Sequence, residues 1–342
     1  MAFTFSIKDT YRQAVEAASG GKQTVLYDDK GYPSIMNVIP KLSYKDVGLS
    51  DSTKALPAFM VDDAEKPEIF VGTYMAMVHD GRACSLPGQV PKVYTNMDQA
   101  IAYCRAKGPG WHCMTNAEYA AIALWCKANG YYPRGNNNYG SDHGYPHEKC
   151  RPGTVGSDGR INLGLTGSGP NSWTHDGTPN GIYGLNGDAL EWAIGLRTNN
   201  GAKNTADLTA GSAEWKAILP DGTLVAPGTA GTLKIDIVSG VPKISTTVKT
   251  TTSGDQWPST PFKDLAVESG ITIPDILKAL AVFPSDSSDH GGDRLWARND
   301  GEKCFCRGGY WSSTSYAGVF CLYGSHPRST SDGSIGFRPA YI

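Results

Sequence analysis

Apolar residues recur at helical spacing in two neighbouring stretches and alternate at strand spacing in several others, with long polar tracts between them. In TNMDQAIAYCRAKG, Thr95 is placed to cap a helix and Gly108 to close it. In TNAEYAAIALWCKANG, Thr115 and Glu118 have the spacing of a capping box, and Gly130 is the stop. Ala121, Ile122, Leu124 and Trp125 give that second helix a buried face. Ile7 to Ala18 reads as a short helix halted by Gly20-Gly21, and TVLYDDKGYPSIMNVI as two strands around Asp28-Asp29-Lys30-Gly31. A strand-like run comes next at Ile69–Met75. From Tyr131 to Gly187 the helical signal is lost to Gly, Asn, Asp and Ser turns, beneath which Trp173 and Trp192 are expected to fill a core.

Residues 200–260 look inserted. Trp215–Leu219 and Thr223–Val225 read as a hairpin around Pro220-Asp221-Gly222. Leu233, Ile235 and Ile237 alternate before a Ser239-Gly240 turn, and Ile244 to Val248 returns. PDILKALAVF predicts one more short helix, and the chain ends in strand-like Arg307–Trp311, Val319–Tyr323 and Ile335–Pro339. Residues 1–55 are expected to form a small separate unit, with 56–342 as the main body.

Composition narrows the function classes. With 41 Gly and 21 Pro in 342 residues and no G-X-Y period, the chain is a loop-rich globular protein and not a collagen. A formal charge of −2 without a Lys/Arg block argues against nucleic acid as partner. No apolar run approaches a membrane span, so membrane insertion is not expected, and MAFTFSIKDTYRQ lacks the apolar core of a Sec signal. The eight cysteines, at 84, 104, 113, 126, 150, 304, 306 and 321, form no CxxC pair, and we read most of them as reduced, buried small side chains.

Motifs for bond-making chemistry are absent: no GxSxG, no GxxxxGK[ST], no HExxH, and no GxGxxG after a strand. His143 and His147, near Glu148 and Cys150, have the spacing of a metal pair on a helix, but Gly144 and Pro146 place them in a surface loop. Asp286, Asp289 and Asp293 miss the EF-hand pattern and read as a solvated acidic loop.

The informative segment is CFCRGGYWSSTSYAGVFCLYGSHPRSTSDGSIGFRPAYI. Its Tyr, Ser, Thr, Gly, His and Asp content is that of a paratope, in which Tyr supplies contact area and Ser or Gly supplies adaptable hydrogen bonding. From Ser312 through Ile335 there is no Lys, Glu, Gln, Met or Trp, the five residues an NNY codon cannot encode. Asn codons randomised at adenines would leave that gap.

With YGLNGDALEWA and the closing RGGYW…RS…IGFRPA frame, the chain resembles the C-type-lectin-fold variable proteins of diversity-generating retroelements, over residues 57–342. Their fold is shared with the formylglycine-generating family. The resemblance implies an α+β, loop-rich lectin-type fold over 56–342, with a variable region at 307–342. It implies a non-enzymatic ligand-binding protein without cofactor. The diversified surface would be Tyr310, Ser312, Ser313, Tyr316, Tyr323, Ser325, His326, Ser329, Ser331, Asp332 and Ser334, held by Arg307, Gly308, Gly309, Trp311, Gly336 and Phe337. Cys321 could belong to either set. The partner expected is a cell-surface protein or glycan of a bacterial host, with the chain on a phage tail tip or a bacterial surface, beside virion tail proteins in the phage case. The resemblance leaves both a homotrimer and a monomer open. Replacing Tyr316 and Tyr323 by Ala is then expected to abolish binding with little loss of stability.

Two other readings carry less. In a formylglycine-type copper oxidase the RGGYW frame places Ser313 and Gly318 where two thiols are needed. A Ca²⁺-dependent lectin needs a Glu-Pro-Asn or Gln-Pro-Asp triplet. Thr178-Pro179-Asn180 lacks the carboxylate, and Trp296-Ala297-Arg298-Asn299-Asp300 only echoes the Trp-Asn-Asp that should come after it.

Overall fold

Among the described residues, three of the four α-helices begin at a side-chain cap. The computed structural model describes residues 9–199, 207–210 and 215–342, so Ile7 and part of the 200–260 segment lie outside the described residues. Helix α1 spans Thr10–Ser19, capped by the Asp9 carboxylate and ended by Gly20 in the left-handed region. Helix α2 spans Met97–Arg105, and its cap is Asn96, in a reciprocal capping box with Gln99. Thr95 does not cap it; its carbonyl is taken by the Trp192 indole N–H at 2.8 Å. Helix α3, Asn116–Ala128, has the expected Thr115–Glu118 box. It is buried on nearly every side, as its run of Ala, Ile and Leu requires. The last helix, α4, is one short turn-and-a-half at Asp275–Ala279.

Strands dominate the rest, giving a mixed, mostly sheet, loop-rich architecture with few helices among the described residues. A five-stranded sheet runs in the order Gln23–Tyr27, Pro33–Pro40, Glu68–Gly72, Pro339–Tyr341, Trp111–Cys113. The N-terminal hairpin is thus an edge of the sheet that receives the C-terminal strand. Ile39, Tyr44, Val47 and Ala55 bury their side chains in the main core, so the N-terminal segment up to residue 55 shares both sheet and core with the main body.

The second sheet is larger. Its central path runs Ser259–Pro261, Arg294–Ala297, Gly318–His326, Lys303–Gly308 and Leu190–Asn199, and continues through 207–210 into the Lys234–Val238 and Val241–Ser245 hairpin. That hairpin turns through Ser239 and Gly240 as expected, both at positive φ. Leu233, Ile235, Ile237 and Ile244 pack into the main core alongside Phe262, Phe305 and Phe320. Helix α3 lies against the Leu190–Asn199 and Gly318–His326 strands. Among the described residues no helix is long and apolar enough to cross a membrane.

Several strand boundaries move: the run expected at Ile335–Pro339 is two short strands, Ile335–Gly336 and Pro339–Tyr341, and those at Ile69–Met75, Ile244–Val248 and Val319–Tyr323 lie at Glu68–Gly72, Val241–Ser245 and Gly318–His326. The strand expected at Arg307–Trp311 ends at Gly308, because Gly308 and Gly309 stand at φ +90° and +81° and turn the chain out of the sheet. The Tyr310–Ala317 loop begins there.

Candidate ligand-binding surface

The frame of the C-terminal segment is buried. Arg307 has no exposed surface; its Nε and Nη2 donate to Asn116 Oδ1 at 3.0 and 2.7 Å, and Nη2 also donates to the carbonyls of Leu280 and Ala281. Burial lowers its pKa to about 10, which leaves it charged at neutral pH. A Cβ at Gly309 would lie 2.5 Å from that of Ala317, so the close approach of the loop's two ends admits only glycine. Trp311 is half-buried, and its carbonyl accepts from Tyr139 N–H at 2.7 Å. Phe337 is buried and stacks on Tyr103, and Gly336 lies against Met75.

The two sequence motifs meet beneath this frame. Arg338 pairs with Glu191 of the ALEWA stretch and donates to the carbonyls of Gly72 and Tyr183, tying together both sheets and a loop. Asp188 accepts from Gly164 N–H and Asn136 Nδ2, both at 2.8 Å. Its burial raises its pKa to about 6.

Above the frame, Tyr310, Ser312, Ser313, Tyr316 and Tyr323 converge on one cavity of about 170 Å³. Leu190, Trp296, Gly309, Thr314 and Cys321 complete its lining. The strand Arg294–Ala297 runs parallel to Gly318–His326 with Trp296 opposite Tyr323, which brings the two rings to 5.2 Å. Trp296 meets Tyr316 edge-on at 6.0 Å, and Tyr323 stacks on His326 at 4.8 Å. Trp257, half exposed, touches both Tyr323 and His326. The result is a continuous aromatic platform with Tyr316 at one end and Trp257 at the other. Burial drives the His326 pKa down to about 4 and pushes the Tyr323 phenol up, so both are neutral at pH 7.

The remaining expected positions divide by exposure. Ser329, Ser331 and Asp332 are exposed and Ser334 half-buried, in the loop after the platform strand. Asp332 accepts from Ser334 N–H and Oγ, and its charge acts on both Tyr323 and His326, which sets this loop beside the platform. Two of the residues expected at the surface are buried. Ser313 is spent on its own turn, its Oγ accepting from Tyr310 N–H at 3.0 Å, and Ser325 faces inward with only 3% exposed. Cys321 is likewise a buried strand residue.

No family model matches the chain, and no curated protein matches it in sequence. Among solved structures, this chain is similar to Treponema denticola variable protein 1. The match covers 93% of this chain and 98% of that one, at 12% identity and a TM-score of 0.36.

Other residues singled out in the sequence have structural partners. Glu148 accepts from Arg134, Ser172 and Trp173, and Cys150 is buried against the Gly140 carbonyl. His143 bonds Asn137. Asp286 pairs with Lys127 at 2.7 Å. Asp293 is not in a solvated loop: it is 3% exposed, accepts from Phe320 N–H at 2.6 Å, and its burial pushes the carboxyl well above its usual range. A Cβ at Gly318 would lie 2.1 Å from its carboxylate, so position 318 has no room for a cysteine side chain. All eight cysteines are free and buried.

Sequence reasoning missed Trp257, Trp296, Arg294 and the exposed Thr314 and Ser315. The sequence sign of Arg294 and Trp296 was their alternation with apolar Leu295 and Ala297; Trp257 had none.

Proposed function

We propose that this chain is a non-enzymatic ligand-binding protein of C-type lectin fold, whose surface formed by the 307–342 segment is diversified by a retroelement and recognises a receptor on a bacterial host. The observation that carries the reading is the division within that segment. Arg307, Gly308, Gly309, Phe337 and Arg338 are buried in polar and apolar contacts, while the residues between them supply Tyr310, Ser312, Tyr316, Tyr323 and His326 to one cavity and its rim. Exposed side chains on such a rim, Tyr316 among them, can vary without disturbing the core, while Tyr310 and Tyr323 pack partly against it. Recognition by neutral aromatic and hydroxyl groups needs no bond-making chemistry. Display in many copies on a phage tail tip or a bacterial surface would raise a weak single-site affinity.

Sequencing of sibling isolates tests this reading. Substitutions should concentrate in the codons of Tyr310, Ser312, Tyr316, Tyr323, His326, Ser329, Ser331 and Asp332, and a partial repeat of the 3′ end, differing from the gene almost only at the repeat's adenines, should lie near a reverse-transcriptase gene. Variation spread evenly between these codons and those of Arg307, Gly308 and Phe337 would overturn it.

A further inference from the structure

The aromatic cavity is walled in part by residues that lie outside the 307–342 segment. Along Arg294–Ala297, burial alternates: Leu295 and Ala297 are buried, while Arg294 and Trp296 stand on the opposite, open face. Trp296 lines the cavity. Arg294 holds its guanidinium 5.2 Å from the Tyr316 ring centroid and donates from Nε to Ser259 Oγ at 2.9 Å. Among the described residues no carboxylate pairs with it. The cavity lining itself carries no formal charge. A charged group entering it would be desolvated without a partner, whereas an anion at its edge would meet Arg294.

Size and lining narrow the occupant. A volume of about 170 Å³ is close to that of an apolar cavity of roughly 150 Å³ that holds benzene. Leu190 and Cys321 contribute apolar lining beside the rings, and two of the hydroxyls bond within their own loop. Ser313 Oγ accepts from Tyr310 N–H, and Thr314 Oγ1 donates to the Ser313 carbonyl. The volume fits a single ring, and the aromatic walls offer that ring faces and edges to pack on.

We propose that Arg294 and Trp296 form a fixed anchor that selects a protein segment presenting an aromatic side chain next to an acidic group, with the diversified positions tuning the contacts around it. This rests on the reading that the surface binds a ligand.

The test is titration of the full chain, followed by tryptophan fluorescence or NMR, with N-acetylphenylalanine, N-acetylphenylalaninamide and methyl glucuronide as probes. The expected result is saturable millimolar binding of the acid, about threefold tighter than the amide. That gap should close in Arg294→Gln and at about 0.5 M salt, and Trp296→Ala should lose both ligands. Should Trp296→Ala fail to fold, the Arg294→Gln comparison decides alone. The anchor is overturned by equal binding of acid and amide, by a gap that survives Arg294→Gln, by tighter binding of the glucuronide, or by no saturable binding of any probe. None of these outcomes alters the codon pattern among sibling isolates, so failure of the anchor is distinguishable from failure of the diversified-surface reading.

Discussion

Arg338 holds Glu191 through two hydrogen bonds, Nε to Oε2 at 2.9 Å and Nη2 to Oε1 at 2.7 Å, with neither side chain more than 2% exposed. The pair joins residues 147 positions apart in the sequence and lies between the two sheets. Removing one partner strands a buried charge, so Arg338→Ala or Glu191→Ala is expected to cost about 3–5 kcal/mol in urea denaturation. The double variant Arg338→Met/Glu191→Leu should cost well under the sum of the two. A single-variant cost below about 1 kcal/mol would show that the pair does not hold the sheets together.

Tyr316 and Tyr323 should separate in stability, contrary to what their shared place in the sequence leads one to expect. Tyr316 is 45% exposed, and Tyr316→Ala should change stability by less than about 0.5 kcal/mol. Tyr323 is half-buried between Trp296, Trp257 and His326, and Tyr323→Ala should cost about 2 kcal/mol through lost ring contacts. Thermal unfolding of both variants decides it; equal losses would put Tyr316 in the core.

What the sequence disclosed was whatever is encoded locally. The Thr115–Glu118 box, the Gly20 stop and the Ser239-Gly240 turn each involve residues a few positions apart, and each is where the local pattern places it. The cap of α2 is Asn96, one residue beyond Thr95, because Asn96 and Gln99 form a reciprocal box there while Thr95 Oγ1 donates to the Val93 carbonyl. The frame Arg307-Gly308-Gly309 was legible through the family resemblance of the closing segment, but the platform was not. Its rings come together through a parallel pairing of Arg294–Ala297 with Gly318–His326, a long-range event that no short window contains. Serine misled for the opposite reason: its polarity says nothing of whether the hydroxyl faces water, as Ser329 does, or closes a turn, as Ser313 does.

The turn at Gly309 should tolerate no side chain. At φ +81° an L-residue is strained, and a Cβ would also press on Ala317 at 2.5 Å. Gly309→Ala should therefore destabilise by more than the roughly 1 kcal/mol of a left-handed alanine alone, and should loosen the Tyr310–Ala317 loop. Hydrogen exchange at the Ser313 and Tyr316 amides, which bond to Tyr310 and Ser313 carbonyls, reads that loosening directly. Unchanged protection would mean that the loop is held from elsewhere.

His112 supplies a pH dependence away from the aromatic cavity. Its Nε2 lies 2.8 Å from Glu118 Oε1, and its side chain is only 20% exposed. Burial opposes the charged ring, but the attraction of the Glu118 carboxylate outweighs it and raises the pKa to about 9. The folded state thus binds the proton more tightly than the unfolded chain, whose histidine titrates near 6.5. The stabilisation is fully present below about pH 6.5 and is lost as pH rises to about 9, a difference on the order of 3 kcal/mol. His112→Gln keeps a hydrogen-bond donor and removes the titration. Urea midpoints from pH 6 to 9.5 should fall more steeply for the natural chain than for His112→Gln, and parallel curves would show that the pair carries no pH-dependent stability.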